Sequence, residues 1–339
     1  MKKAIVIRLG AIGDTLIVTP VFRYLKRDGY HVTFNTTGRA YELVKHNPYI
    51  DAFIEHDSSI PPDHRLTEHW QKLTVGHDRV INLTESIEGA LSVSEKHPKE
   101  FNLPKDVRHF FCNVNFYDRT MAIAGYPEAK GLLPELHFTE EEETIARNFR
   151  KKHQDSFFIL WVMSGSSYHK QYPHAEEVGT SFLYDHKDAK IVTVGDSFCV
   201  LLDFEHPRSI PKSSEWSIRR TMLMTKYADL VIGPDTGILH AAACYDTPKI
   251  LMLSANTQEN ISKYWKNTIN LSSGVECQPC HRLIYSLRAC PVNELYLTPI
   301  CMADLKKEDV HNAISNVYES WKGKHDVSFH RSRPQAVSC

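Results

Sequence analysis

Gly233-Pro234-Asp235-Thr236-Gly237-Ile238-Leu239-His240-Ala241-Ala242-Ala243 follows the apolar run Asp229-Leu230-Val231-Ile232 and opens into residues that favour helix. Read outward from Gly233, this is a buried strand, a tight turn and a helix start. Glycine lets backbone come close to a ligand, and Asp235 and Thr236 are residue types that cap helices. The unpaired N–H groups of a first helical turn favour an anion. The pattern suits a phosphate, and on its own it suits an ordinary capped strand-to-helix junction equally well.

Two further segments repeat it. At the N-terminus, Ala4 to Ile7 reads as a buried strand, Arg8-Leu9-Gly10-Ala11-Ile12-Gly13 as a glycine-bearing turn, and Asp14 to Lys26 as an amphipathic helix. In mid-chain, the apolar run Phe157 to Val162 ends in Met163-Ser164-Gly165-Ser166-Ser167-Tyr168-His169-Lys170, which brings hydroxyls, a glycine and a lysine. In open parallel α/β sheets, ligands gather at the C-terminal ends of the strands. Three such turns can therefore converge on one crevice, with Asp14 facing it.

The alternation of apolar runs with helix-like stretches places strands near 3–8, 31–36, 51–55 and 79–83, with helices after Asp14, Gly38 and Pro62. A second set follows near 157–163, 190–195, 229–233 and 249–253. The 339 residues exceed the usual single core, so two α/β lobes are expected, 1–152 and 153–322. Between the sets, 92–116 has no clear period and reads as a loop-rich excursion at the crevice. Thr139 caps a helix whose acidic start, Glu140 to Glu143, reads as a solvated first turn. Lys306 to Lys322 reads as a last helix with Val310, Ile314, Val317 and Trp321 inward, and 323–339 as a mobile tail.

Lys+Arg total 40 against Asp+Glu 41, a formal net charge of -1, which removes the overall basic signature of a nucleic-acid-binding protein; a local basic groove stays open. No segment offers the ~20 apolar residues of a membrane span, and Met1-Lys2-Lys3 runs straight into a strand. A cytoplasmic protein is expected, with peripheral membrane contact left open. Of eight cysteines, Cys112, Cys199, Cys244 and Cys339 are scattered. Cys277, Cys280, Cys290 and Cys301 cluster, starting with C-x2-C, and four thiolates can hold a structural Zn or Fe ion, with His281 as an alternate ligand. Free thiols are the other reading.

Three motifs resemble glycosyltransferase family 9, the bacterial heptosyltransferase family of the GT-B fold: Arg8 to Leu16 with Thr19-Pro20, Lys170-Gln171-Tyr172-Pro173, and Gly233 to Gly237 with His240 and Thr247-Pro248. Cys277-Gln278-Pro279-Cys280 and Cys301-Met302 with Val310 extend the similarity to about residue 320. The resemblance implies two Rossmann-like lobes and a nucleotide diphosphate sugar donor, ADP-heptose first. It also implies a glycan acceptor, most often the lipopolysaccharide core, with a protein side chain or modified DNA as alternatives. A non-catalytic nucleotide-sugar-binding protein is the reading from another class, against which Asp14 and Lys170 stand.

By the same resemblance Asp14 is the catalytic base, and Asp235, Thr236 and Gly237 hold the donor, with His240 as a further contact. Lys170, Ser166 and Ser167 suit the diphosphate, whose charge a lysine, hydroxyls and a helix N-terminus can meet with no metal cofactor. Gly195-Asp196 points to the nucleoside. Some relatives, the bacterial autotransporter heptosyltransferases, hold iron with four cysteines, which favours the metal reading. One stretch departs from the family: Leu253-Ser254-Ala255-Asn256-Thr257-Gln258 stands where many relatives have Gly-Pro-Thr and Asp-Pro. That loop lies near the donor in the family, so the identity of sugar and nucleotide is open.

Overall fold

Residues 1–56, 65–286 and 289–331 are described by the computed structural model. Strands β1 (Lys2–Ile7), β2 (Tyr30–Thr36), β3 (Ala52–Glu55) and β4 (Arg79–Asn82) form a parallel sheet in the order β3-β2-β1-β4. Helices α1 (Ile12–Arg27), α2 (Gly38–Val44) and α3 (Leu66–Thr74) connect them. The expected start of α3 after Pro62 lies outside the described residues.

The first helix is buried along most of its length, from Asp14 through Phe22 and again at Leu25, as expected of a helix covered on several sides. Pro20 sits inside it and has no N–H to give the Leu16 carbonyl. The Thr19 hydroxyl donates to that carbonyl instead, at 2.7 Å, and accepts from the Glu135 N–H at 2.8 Å. Thr19-Pro20 is thus a repaired helix break that also ties down the chain leaving the first lobe.

The 92–116 excursion is more ordered than its composition suggests. It holds β5 (Val93–Ser94), α4 (Pro98–Phe101) and α5 (Lys105–Cys112), and α6 (Phe116–Ile123) follows. Val93, Phe101 and Cys112 bury themselves with Ile284 in a small separate core. Long-range contacts of this kind leave no periodic trace in the excursion itself.

Helix α7 (Glu140–Lys151) begins with a capping box, in which the Glu142 N–H donates to Thr139 Oγ1 and the Thr139 N–H to Glu142 Oε2. Its acidic turn is not simply solvated. Glu142 pairs with Arg219, Nη2 to Oε2 2.7 Å, and Glu143 with Lys226 at 2.7 Å. Arg219 also donates to the Glu42, Leu43 and His137 carbonyls at 2.9–3.0 Å, so one buried guanidinium clamps three segments together.

Strands β6 (Phe157–Val162), β7 (Ala189–Val194), β8 (Ser209–Pro211), β9 (Leu230–Pro234), β10 (Lys249–Met252) and β11 (Thr268–Leu271) form a second parallel sheet, order β11-β10-β9-β6-β7-β8. The central runs are apolar throughout, as strands covered on both faces must be. The two edge strands escaped the sequence reading because Ser209-Ile210-Pro211 and Thr268 to Leu271 are short and only partly buried. Around this sheet lie α8 (Ala175–Asp185), α9 (Ile218–Tyr227) and α10 (Gly237–Ala242).

Strand β12 (Arg282–Leu283) then returns to pair in parallel with β5, tying the excursion to the second half of the chain. After α11 (Ile300–Ala303), α12 (Lys307–Arg331) buries Val310, Ile314 and Tyr318 beside α8 residues Phe182 and Leu183. It continues past Lys322 to Arg331, so the first part of the expected tail is helical; 332–339 lie outside the described residues. Among the described residues, no helix is long and apolar enough to cross a membrane.

Candidate active site

The turns after β1, β6, β7 and β9 open on one cavity of about 620 Å³ between the two sheets. Gly13, Asp14, Arg39 and Glu88 line it from the first sheet's side; Ser166, Lys170, Asp235, Thr236 and His240 face them from the second. What brings the sides together is the abutment of α1 and α10. A Cβ on Gly237 would lie 2.6 Å from Ile12 Cγ2 and 3.1 Å from the Gly13 nitrogen, a contact no larger residue tolerates. The starts of both helices therefore meet at the cavity wall, and their unpaired N–H groups favour negative charge there.

On the first side, Asp14 divides its oxygens. Oδ2 accepts the Ala11 N–H at 3.0 Å, capping α1 from its third position, and Oδ1 stands 3.1 Å from Arg8 Nη2. The same Nη2 donates to Glu88 Oε2. Arg8 is fully buried. Two carboxylates thus share one guanidinium, and the charge of each acts on the other. Burial pushes the Asp14 carboxyl well above the usual range, Arg8 opposes this, and the charge of Glu88 adds to it. Burial also acts on Glu88, but the adjoining Asp14 carboxyl and the Arg8 charge overcome it and hold that carboxyl at about 2.

On the second side, the turn after β6 carries Lys170 inward, with Nζ 3.7 Å from Asp235 Oδ2. Gly165 makes the room: a Cβ there would sit 2.7 Å from Lys170 Cδ and 2.9 Å from Thr236 Cγ2. Burial works against the Asp235 charge, but Lys170 and the His240 hydrogen bond outweigh it and keep this carboxyl ionised far below its ordinary range. Thr236 Oγ1 is buried with no protein partner, a hydroxyl free for a ligand at the start of α10. Ser166 lines the cavity and is exposed.

Ser167 and His240, both expected at the donor, have partners within the protein. Ser167 turns away from the cavity, its hydroxyl 3.2 Å from His169 Nε2, because burial of that side of the turn demands a partner. His240 lines the cavity, yet both ring nitrogens are committed. Nε2 lies 3.2 Å from Asp235 Oδ1, and Nδ1 lies 2.6 Å from the Tyr117 hydroxyl, which in turn accepts from Trp265 Nε1 at 3.3 Å. The side chain of Asp196 is likewise occupied, accepting the Phe198 N–H at 3.0 Å and the Cys199 N–H at 3.3 Å.

The loop that departs from the family pattern is tied to the excursion. Ser92 Oγ donates to Asn256 Oδ1 at 3.2 Å, and Thr257 Oγ1 to Asn113 Oδ1 at 2.6 Å; Ser92 and Asn256 both line the cavity. Glu88, Tyr117 and Arg8 were not singled out as functional by sequence. Glu88 had one available signal, its position just beyond the C-terminal end of β4, the strand beside β1.

Cys277, Cys280, Cys290 and Cys301 form no disulfide. Among the described residues no three His, Cys, Asp or Glu side chains are grouped to hold a metal. Cys301 is buried in the core under α12, whereas Cys290 packs against the small core beneath the excursion. The thiols nonetheless stay near enough to act on one another: Cys290, Cys280 and Cys277 add to burial in raising the Cys301 thiol, and Cys280 and Cys277 add to burial in raising Cys290.

The family model described as Glycosyltransferase family 9 (heptosyltransferase) matches residues 215–288, a stretch that contains the Gly233 to Gly237 turn. No curated protein sequence matches the chain. Among solved structures, a glycosyl transferase family 9 protein from Veillonella parvula DSM 2008 aligns with TM-score 0.64 at 15% identity, over 93% of this chain and 97% of its own. The E. coli ADP-heptose lps heptosyltransferase II aligns with TM-score 0.65 at 14% identity, over 95% and 100%. The iron-containing dodecameric glycosyltransferase TibC from enterotoxigenic E. coli H10407, also solved in complex with ADP-D-beta-D-heptose, aligns with TM-score 0.61 at 12% identity, over 95% and 80%. These likenesses establish the fold as GT-B. The match to the model of glycosyltransferase family 9 over residues 215–288 agrees with that fold.

Proposed function

We propose that the protein is an inverting, metal-independent heptosyltransferase that moves a heptose-like sugar from a nucleoside diphosphate, ADP-heptose first, to a hydroxyl of a bacterial glycan such as the lipopolysaccharide core. One observation carries this reading: Asp14 and the group Lys170, Thr236 and Ser166 face one cavity from opposite sides. Direct displacement at an anomeric carbon needs that separation, with a base on the acceptor side and positive charge on the leaving-group side.

In this reading the acceptor hydroxyl gives its proton to Asp14 as its oxygen bonds to the anomeric carbon. The bond from that carbon to the diphosphate breaks, and the electron pair leaves on the diphosphate. Lys170, the Thr236 and Ser166 hydroxyls and the start of α10 meet the charge that develops. Asp235, kept ionised by Lys170 and His240, accepts hydrogen bonds from donor sugar hydroxyls. Residues 1–152 then form the acceptor half and 153–322 the donor half, and the enzyme works in the cytoplasm, where nucleotide sugars are made.

The test is a panel of nucleotide sugars screened for binding and for slow donor hydrolysis, followed by transfer to lipopolysaccharide core acceptors. Selective binding and turnover of ADP-heptose support the proposal. Preference for another donor, or transfer only to a protein or DNA acceptor, would replace the finer assignment.

A further inference from the structure

We propose that Glu88 is a positioning residue of the proton transfer: it is paired with Asp14 on the Arg8 guanidinium and sets the pH at which Asp14 accepts the acceptor's proton. The inference rests on the reading of Asp14 as the base. The geometry behind it is specific. Arg8 Nη2 reaches Asp14 Oδ1 at 3.1 Å and also donates to Glu88 Oε2, so one nitrogen holds the two carboxylates side by side. Glu88 lines the same cavity wall as Asp14. Its side chain is 28% exposed against 11% for Asp14, so Glu88 is the member open to water.

A carboxylate alone with a buried arginine is a poor base, because the opposite charge stabilises its ionised form. A second carboxylate beside it restores basicity by like-charge repulsion, and close charges of either sign shift such groups by about 1–3 pH units. Asp14 has both neighbours, and it is held well above the usual carboxylate range, with burial as the largest cause and Glu88 adding to it. The other groups around the pair do not replace Glu88. Tyr285 is raised by burial and by both carboxylates, so it stays neutral; the Ala11 N–H caps Asp14; and His240, across from Gly13, is spent on Asp235 and Tyr117.

The proton balance is simple. The acceptor's O–H proton passes to Asp14 while its oxygen bonds to the anomeric carbon and the diphosphate departs with the electron pair. Between turnovers that proton leaves for water through Glu88.

Glu88→Gln keeps the shape and removes the charge. The acidic limb of the kcat/KM profile, measured on the full-length enzyme with its transferred donor and acceptor, should move to lower pH by at least about one unit. The rate on the plateau should fall as well, since the remaining base is weaker. Glu88→Asp, which restores a carboxylate, should return the limb toward its wild-type position, and the thermal midpoint of each variant separates this from unfolding. If Glu88→Gln does not fold, Glu88→Ala removes the same charge and is read the same way. An unmoved limb in the folded, charge-free variant, with Asp14→Asn inactive, overturns this inference alone. Wild-type transfer by Asp14→Asn would instead remove the base assignment on which it rests.

Discussion

Gly165→Ala tests the construction of the phosphate side without touching a charged group. The added methyl would meet Lys170 Cδ at 2.7 Å, Lys170 Cβ at 3.1 Å and Thr236 Cγ2 at 2.9 Å, all inside normal contact distance. Thr236 is held by its place at the start of α10, so the flexible lysine gives way. A lysine about 4 Å from a phosphate charge contributes about 4 kcal/mol at an effective dielectric constant of about 20, and about 2 kcal/mol once pushed to about 8 Å. The difference of about 2 kcal/mol is about 30-fold in affinity. Calorimetric titration with ADP and UDP measures it, alongside the thermal midpoint, which should move little because the displaced atoms belong to one pliable side chain. The double-mutant cycle sharpens the test: in a Lys170→Ala background, Gly165→Ala should add almost nothing, since the group it displaces is gone. Wild-type nucleotide affinity in Gly165→Ala, or full additivity in the cycle, would refute the reasoning.

Asp14→Asn should abolish transfer and leave nucleotide affinity nearly unchanged, because a base acts on the acceptor in the transition state; single-turnover assays paired with calorimetry check both halves. Arg219→Met leaves Glu142 without its partner and should cost about 3–5 kcal/mol of stability at neutral pH, read from denaturant melts. The pH dependence follows from the sign of the shift: the Arg219 hydrogen bond holds Glu142 at about 2, below the ordinary 4.5. Its contribution is therefore complete above pH 4.5 and lost as pH falls toward 2, and Arg219→Met should flatten that part of the wild-type acid-stability curve. Finally, EDTA in the transfer assay should leave the rate unchanged, whereas a strict requirement for added Mg²⁺ or Mn²⁺ would contradict a diphosphate site built from Lys170, Thr236 and helix N–H groups.

The elements that local chemistry specifies were readable in the chain itself. The central strands announce themselves as unbroken apolar runs, and the turns after β1, β6 and β9 carry the glycines and capping residues that such junctions need. Because ligands gather at the C-terminal ends of parallel strands, Asp14, Lys170, Asp235 and Thr236 could be named before any contact was known. Tertiary structure decided what those residues meet. Glu88 joins Arg8 across 80 positions and Tyr117 joins His240 across 123; no local period encodes such distances. The same holds for negative outcomes. Ser167 and its neighbour Ser166 are chemically identical, and only the packing of the turn sends one hydroxyl to His169 and leaves the other at the cavity. Glu142 looks like a solvated helix start until Arg219 arrives from α9. Sequence determines the local conformations and the chemical groups on offer; burial and long-range pairing decide which of those groups are free to act.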